Sequence, residues 1–269
     1  MQETILRYDS VEISFNGNPV VTDISFSLKN GEILGLVGES GSGKSTLMKA
    51  AMGLLGTTGM VTRGDIFYRE QNILDISEKE KRKIRGAQIG MIFQDAGASL
   101  CPIRTIGEQI YESMRVHKKV TRAEAKEHAL DLFEKMNFKD GKRVWDSYPF
   151  ELSGGMNQRA GIAIAMLMNP PILLADEPTS ALDVTVQAEV VKELMELHQK
   201  MQFSMILVTH NMGVAVNMCD KIAVMHNGVF VELKKTSELL ENPEDEYTRR
   251  LFQAVPRLKN GRRKQKDEK

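Results

Sequence analysis

Hydrophobic positions along this chain follow two periods, and the switches between them divide it into elements. From Ile5 to about Leu28 apolar and polar residues alternate, as in Val11-Glu12-Ile13-Ser14-Phe15. The alternation breaks at Asn16-Gly17-Asn18-Pro19 and resumes at Ile24-Ser25-Phe26-Ser27-Leu28. Period two interrupted by turn formers predicts antiparallel strands joined by turns. Later runs are short and continuously apolar: Ile33-Leu34-Gly35-Leu36-Val37, Ile89-Gly90-Met91-Ile92-Phe93, Ile172-Leu173-Leu174-Ala175, Met205-Ile206-Leu207-Val208 and Ile222-Ala223-Val224-Met225. Runs of this kind suit strands covered on both faces, as in a parallel sheet. Helical spacing fills the gaps, from Leu47 to Leu55, from Val184 to Met201 and again after His210, while Gly64 to Tyr68 reads as a further strand and Ser77 to Arg85 as a charged helix.

Between Gln94 and about Asn169 the texture is helical alone, over 105–117, 121–137 and 153–168, with Thr121-Arg122-Ala123-Glu124 offering a capping box. The pattern therefore predicts an α/β fold with a mainly parallel sheet, an N-terminal antiparallel β subdomain and a helical insertion subdomain at about 97–169. Composition narrows this little. Of 269 residues 42% are apolar and 27% charged, and the formal net charge is zero, so the total does not argue for a nucleic-acid partner. The longest apolar run near the middle, Ala160 to Met168, is cut by Asn169-Pro170-Pro171, short of the roughly 18 residues that suggest a membrane span. Met1-Gln2-Glu3-Thr4 lacks the basic and apolar regions of a secretory signal, and a cytoplasmic protein is the expectation. Two cysteines, Cys101 and Cys219, are too few for a disulfide framework. The stretch from Lys259 to Lys269 carries six basic and two acidic side chains and no apolar residue, so 257–269 is expected to be a disordered basic tail.

Chemistry enters at Gly38-Glu39-Ser40-Gly41-Ser42-Gly43-Lys44-Ser45-Thr46, which matches the phosphate-loop pattern G-x-x-x-x-G-K-[ST] between a strand and a helix. The glycines let successive N–H groups face one oxyanion at the positive end of the helix. Lys44 can then reach the β- and γ-phosphates and the Ser45 hydroxyl can ligate Mg²⁺. A glycine-rich turn before an ordinary helix is the plainer alternative, and the flanking strand and helix favour the phosphate reading. Ligands in such folds sit at the carboxyl ends of the strands. That rule gathers Gln94, Asp176, Glu177 and His210 at the loop: Asp176 to hold Mg²⁺, Glu177 to act on the lytic water, His210 to donate to the γ-phosphate. Phe15, from the pattern alone, reads as a core aromatic. Leu152-Ser153-Gly154-Gly155-Met156 precedes a helix, with Ser153 placed to cap it, and forms a second candidate anion site that a generic phosphate-loop enzyme leaves without a purpose.

With these motifs in this order, the chain resembles the ATP-binding cassette (ABC) family from about Ile5 to Leu240, and 1–256 is identified as its nucleotide-binding domain, a P-loop NTPase core. The resemblance aligns Gln94 with the family's glutamine loop, a ligand for nucleotide and metal beside Ser45 and Asp176. Leu152 to Met156 becomes the signature, Ser180-Ala181-Leu182-Asp183 the D-loop and His210 the switch histidine. It also implies that Phe15 stacks on adenine, and that Ser153, Gly154 and Gly155 close over the nucleotide of a second subunit. Met156 and Asn157 in the signature, Ala96 after Gln94-Asp95, and Asn211 after His210 depart from the commonest pattern without removing a catalytic atom. The lead-in Tyr148-Pro149-Phe150-Glu151 and the ending Tyr247-Thr248-Arg249-Arg250-Leu251, followed by Val255-Pro256, resemble the peptide and nickel importer branch. Some members of that branch carry a cysteine cluster absent here, so no iron–sulfur centre is expected. The implied function is ATP-driven import of peptides, nickel or metal–chelator complexes, by dimer closure and reopening. The implied partners are a second ATPase subunit, a different chain rather than a copy, two membrane permeases and an extracytoplasmic binding protein, with the subunit on the cytoplasmic face of the membrane. Rival readings are a soluble cassette ATPase of DNA repair or translation, which usually has tandem cassettes or a coiled-coil insertion; a small-molecule kinase, which has no use for Leu152 to Met156; and an ATP sensor, which would be expected to lack Glu177 or His210.

Overall fold

The alternating N-terminal segments pair with each other. In the computed structural model, which describes residues 3–180 and 182–253, β1 (Thr4–Phe15) and β2 (Asn18–Lys29) form an antiparallel hairpin. Asn16 and Gly17 close it, both at positive φ, the geometry that matches the twist of the flanking strands. The chain then runs through β3 (Ile33–Val37), α1 (Lys44–Ala51), β4 (Gly59–Tyr68), β5 (Gln71–Asn72), α2 (Glu78–Ile84) and β6 (Ile89–Ile92). A helical subdomain follows: α3 (Ala96–Ser99), α4 (Ile106–His117), α5 (Arg122–Lys135), α6 (Gly141–Asp146), a single 3₁₀ turn at Pro149–Glu151, and α7 (Gly154–Met166). The chain returns through β7 (Ile172–Asp176), α8 (Val184–Met201), β8 (Ser204–Val208), α9 (Met212–Met218), β9 (Lys221–His226), β10 (Val229–Lys235), α10 (Thr236–Glu241) and α11 (Glu246–Gln253).

Two sheets result. Strands β2-β1-β4-β5 make an antiparallel sheet, and β10-β9-β3-β8-β7-β6 make a second sheet that is parallel except at β10. The continuously apolar runs have a direct reason here, because the second sheet is covered on both faces. Leu34, Leu36, Ile172, Leu174, Ile206 and Val208 face the antiparallel sheet and α1. Their neighbours Ile33, Val37, Leu173, Ala175, Met205 and Leu207 face the helices on the other side. Each large apolar side chain removed from water in this way contributes about 1.5–3 kcal/mol before the entropy of ordering is subtracted. Tyr8 ties the layers together. Its ring stacks on Phe26 at 4.4 Å and its hydroxyl donates to the Leu47 carbonyl at 2.8 Å, joining the antiparallel sheet to α1.

Several boundaries differ from the sequence reading. Helix α1 begins at Lys44 and ends at Ala51, a turn earlier than Leu47 to Leu55, because the last glycine of the phosphate loop is its N-cap and Gly53, at positive φ, stops it. Strand β4 starts five residues before Gly64, and its first half is too polar and exposed to carry an alternating signal. Helices α3 and α6 are short and capped by Asp95 and Asp140, which accept from the Ala98 and Arg143 N–H groups. The hairpin from β9 to β10 turns at Asn227-Gly228, both at positive φ, and was not anticipated. The predicted capping box at Thr121 is formed, with the Glu124 carboxylate accepting from the Thr121 N–H at 2.7 Å. The stretch 257–269 lies outside the described residues, as does Ala181 of the D-loop.

Candidate active site at the tips of the parallel strands

The phosphate loop connects β3 to α1 and is shaped by two close approaches. A Cβ on Gly38, at φ 146°, would lie 2.0 Å from the Met225 carbonyl oxygen of β9; one on Gly43, at φ 103°, would meet Met225 and Val21 side chains at 2.8 Å. Neither position tolerates a side chain in this geometry. Inside the loop the Lys44 ammonium, almost fully buried, donates to the Gly38 carbonyl at 2.9 Å, the Glu39 carbonyl at 2.6 Å and the Ser42 hydroxyl at 3.1 Å. Burial pulls its pKa below the usual lysine range, and the nearby carboxylates of Glu177, Asp176 and Glu39 oppose that shift.

The ends of β7, β8 and β6 bring the remaining groups to the loop. Asp176 closes β7, and its Oδ1 accepts the Ser45 hydroxyl at 2.7 Å. Burial raises the Asp176 pKa, with the Ser45 hydrogen bond and Lys49 opposing. Glu177 follows with a left-handed backbone, φ 45°, while its N–H still pairs with the Val208 carbonyl at 3.0 Å. A non-glycine residue in that region is strained and recurs where a side chain must be aimed. The single oxygen Oε2 of Glu177 accepts from the Gln94 amide at 3.4 Å and lies 3.2 Å from His210 Nδ1. A cavity of about 300 Å³ is lined by Ser40, Gly41, Gly43, Lys44, Ser45, Thr46, Gln94 and Glu177. Val20 of β2 also lines it, a residue that the sequence reading did not single out.

Other expected site residues lie elsewhere in this subunit. Phe15 does not line the cavity; it is partly buried against the antiparallel sheet, its ring over Gly59. The Ser153 side chain caps α7 by accepting the Met156 N–H at 3.3 Å, and Ser153 and Gly154 are exposed, with open space above the Gly154 Cα. Asp183 caps α8 through the Thr185 and Val186 N–H groups, both at 3.1 Å. One buried link, unsuspected from the sequence, joins the signature helix to the strand-tip site: the Gln158 amide of α7 donates to the Pro178 carbonyl at 2.5 Å, next to Glu177.

Residues 21–180 match the ABC transporter family. The chain is 43% identical over 238 residues to the oligopeptide transport ATP-binding protein OppD of Salmonella typhimurium, covering 88% of this chain and 71% of that protein. It is 40% identical over 256 residues to the dipeptide transport ATP-binding protein DppD of Escherichia coli, covering 94% and 78%. This chain belongs to the ABC transporter family, among the oligopeptide and dipeptide transport ATP-binding subunits. The fold agrees: a dimeric post-hydrolysis structure of the ATP-binding cassette MJ0796, bound to ADP and Pi, matches with a TM-score of 0.74 and 27% identity, over 86% of this chain and 98% of that one.

As an ABC ATPase it binds and hydrolyses ATP, and the geometry limits what each group can do chemically. Ser40, Gly41, Gly43, Lys44, Ser45 and Thr46 of the loop line the space where phosphates can be cradled. Ser45 and Asp176 present a hydroxyl and a carboxylate 2.7 Å apart, hard oxygen donors of the kind that hold Mg²⁺ beside phosphates, and a cation there would offset the burial that raises the Asp176 pKa. Such a cation would neutralise charge on the β- and γ-oxygens. Gln94, expected among the metal ligands, places its amide on Glu177 in this structure. Together with His210 it fixes the Glu177 carboxylate toward the cavity, where it can take a proton from attacking water.

Proposed function

We propose that this ATPase subunit powers the import of peptides through a membrane transporter, by ATP-driven closure and reopening of a dimer. Its similarity to OppD and DppD, over most of their lengths, supports peptides as cargo ahead of the nickel or metal–chelator complexes that the branch resemblance also allows. The observation that carries the mechanism is the division of the site. The phosphate loop, Asp176, Glu177 and His210 converge in one subunit, while Ser153 and Gly154 face outward from it. In this reading the signature turn completes the site of a second ATPase subunit, a different chain, and Phe15 and Asp183 join the nucleotide only in the closed assembly. Mg²⁺ is held by Ser45 and Asp176.

Two permeases would receive the stroke. An apolar cleft of about 460 Å³ beside Gln94, lined by Leu54, Phe93, Val116, His117, Ile164 and Met168, would seat a cytoplasmic loop of a permease. Among the described residues no helix is long and apolar enough to cross a membrane, so attachment to the cytoplasmic face would come through that contact. An extracytoplasmic binding protein would deliver the cargo. The decisive experiment uses the subunit with its partner chain. Glu177→Gln is expected to slow hydrolysis by at least about 10²-fold while accumulating an ATP-bound dimer in size-exclusion chromatography, because the carboxylate that takes the proton is gone and the binding contacts remain. Undiminished hydrolysis would remove Glu177 from its role. Uptake of labelled peptides, against nickel, by the reconstituted transporter tests the cargo.

A further inference from the structure

One motif of the sequence has no part in the chemistry above. Tyr247-Thr248-Arg249-Arg250-Leu251 lies in α11, more than two hundred positions from the phosphate loop, yet the Tyr247 hydroxyl accepts the Glu39 N–H at 2.8 Å. That N–H belongs to the peptide unit between Gly38 and Glu39, whose carbonyl accepts from the Lys44 ammonium at 2.9 Å. The same peptide plane is thus held at both ends, by the lysine on the inside of the loop and by the tyrosine on the outside. Hydrogen bonds arranged in such a chain polarise one another and fix the orientation of the unit they share.

Tyr247 is itself held firmly. Its ring lies against His226, the last residue of β9, with centroids 4.1 Å apart, and β9 is the strand whose Met225 carbonyl sits over Gly38. Behind it, the Asp245 carboxylate accepts the Tyr247 N–H at 2.8 Å and the Thr248 N–H at 3.2 Å. Glu232 of β10, almost fully buried, accepts the N–H groups of Glu244 and Asp245 at 3.0 and 3.2 Å and pairs with Lys234 at 2.8 Å. An unbroken set of contacts therefore runs from β10 through the 244–245 turn and α11 to the first peptide of the phosphate loop.

We propose that Tyr247 is a positioning residue for ATP binding: by accepting the Glu39 N–H it sets the Gly38–Glu39 peptide, and through that peptide the place of the Lys44 ammonium. The C-terminal hairpin and helix are then part of the nucleotide site, as a brace outside the loop. Without the hydroxyl the Glu39 N–H loses its acceptor, and the peptide plane is free to rotate with its carbonyl, one of the three oxygens that hold Lys44. The effect falls on nucleotide affinity, because no group that meets the attacking water is touched.

The test compares the full chain with Tyr247→Phe, which keeps the ring on His226 and removes only the hydroxyl, and with Tyr247→Ala. Binding of a fluorescent ATP analogue is titrated well below the unfolding temperature of each variant. Hydrogen exchange is followed over the loop peptide at 38–46 and over α11. A single hydrogen bond of ordinary strength corresponds to about a two- to tenfold change in affinity. Tyr247→Phe is expected to weaken binding by that factor and to speed exchange at the loop while α11 keeps its protection. Tyr247→Ala should weaken binding further. An unchanged dissociation constant for the Phe variant overturns the proposal, whatever its thermal stability. So does faster exchange in α11 with the loop still protected, which is what a purely structural tyrosine would produce.

Discussion

The two glycine-bearing turns of this subunit, the phosphate loop and the turn at Ser153-Gly154, are built in opposite ways. The phosphate loop is enclosed: Gly38 and Gly43 press against β9, its lysine is satisfied by three oxygens of the loop itself, and Tyr247 holds it from outside. The signature turn is open. Ser153 spends its side chain on capping α7, Gly154 has nothing within 4 Å of where a Cβ would be, and both residues are exposed. Enclosure suits a turn that receives its ligand within its own subunit, and openness suits a turn that must approach a ligand carried by another. The difference is what the proposed dimer requires of a single chain.

Breaking the open turn is expected to have the larger effect on function. Gly154→Asp has room to fold normally and places a negative charge where phosphate oxygens would be met. ATPase activity of the paired subunits is expected to fall by on the order of 10²-fold, as on loss of donors at a site of developing charge, while ATP binding to the isolated subunit stays as it is. Steady-state hydrolysis beside equilibrium titration separates the two. Breaking the enclosed turn acts on stability instead. In Gly38→Ala the new methyl collides with the Met225 carbonyl, and either the loop or β9 must move, at about 3 kcal/mol, measurable by denaturant unfolding. If Gly38→Ala and Gly154→Asp gave the same stability and binding profile, the contrast between the turns would be lost.

A smaller effect tests the brace. Burial pushes the Glu232 carboxyl up, but the N–H groups of Glu244 and Asp245 and the Lys234 ammonium outweigh it and hold the pKa below the ordinary glutamate value. A lowered pKa means that the folded protein binds fewer protons than the unfolded chain over the interval between the two values. The contribution to stability is therefore present above the ordinary value and disappears as the pH falls through the lowered one. Glu232→Gln should unfold at a lower temperature than the parent at neutral pH, by a few degrees at most. The gap should close on acidification, which thermal scans across a pH series would follow. A gap independent of pH would show that the charge of Glu232 is immaterial to the anchoring of α11.

Where a local pattern carried the physics, it could be read. The continuous runs at Ile33, Ile89, Ile172, Met205 and Ile222 became parallel strands because burial on both faces demands apolar residues at every position. The gathering of Gln94, Asp176, Glu177 and His210 at the loop followed from the rule for strand tips. Short helices were missed because their four to six residues have too little length for a period to show, and their aspartate caps look like any polar residue. The Asn227-Gly228 turn is legible too, for that dipeptide between apolar runs is a hairpin signal. Tyr247 on Glu39 and Gln158 on Pro178 were not legible at all. Contacts between residues so distant along the chain leave no periodic trace in it.

The Gln158 amide has a consequence for communication. It fastens the backbone beside Glu177 to the N-terminal part of α7, the helix whose first turn would meet a neighbour's nucleotide in the proposed dimer. In the proposed dimer, a tilt of α7 on docking would be passed through this bond to Pro178 and so to the carboxylate beside it.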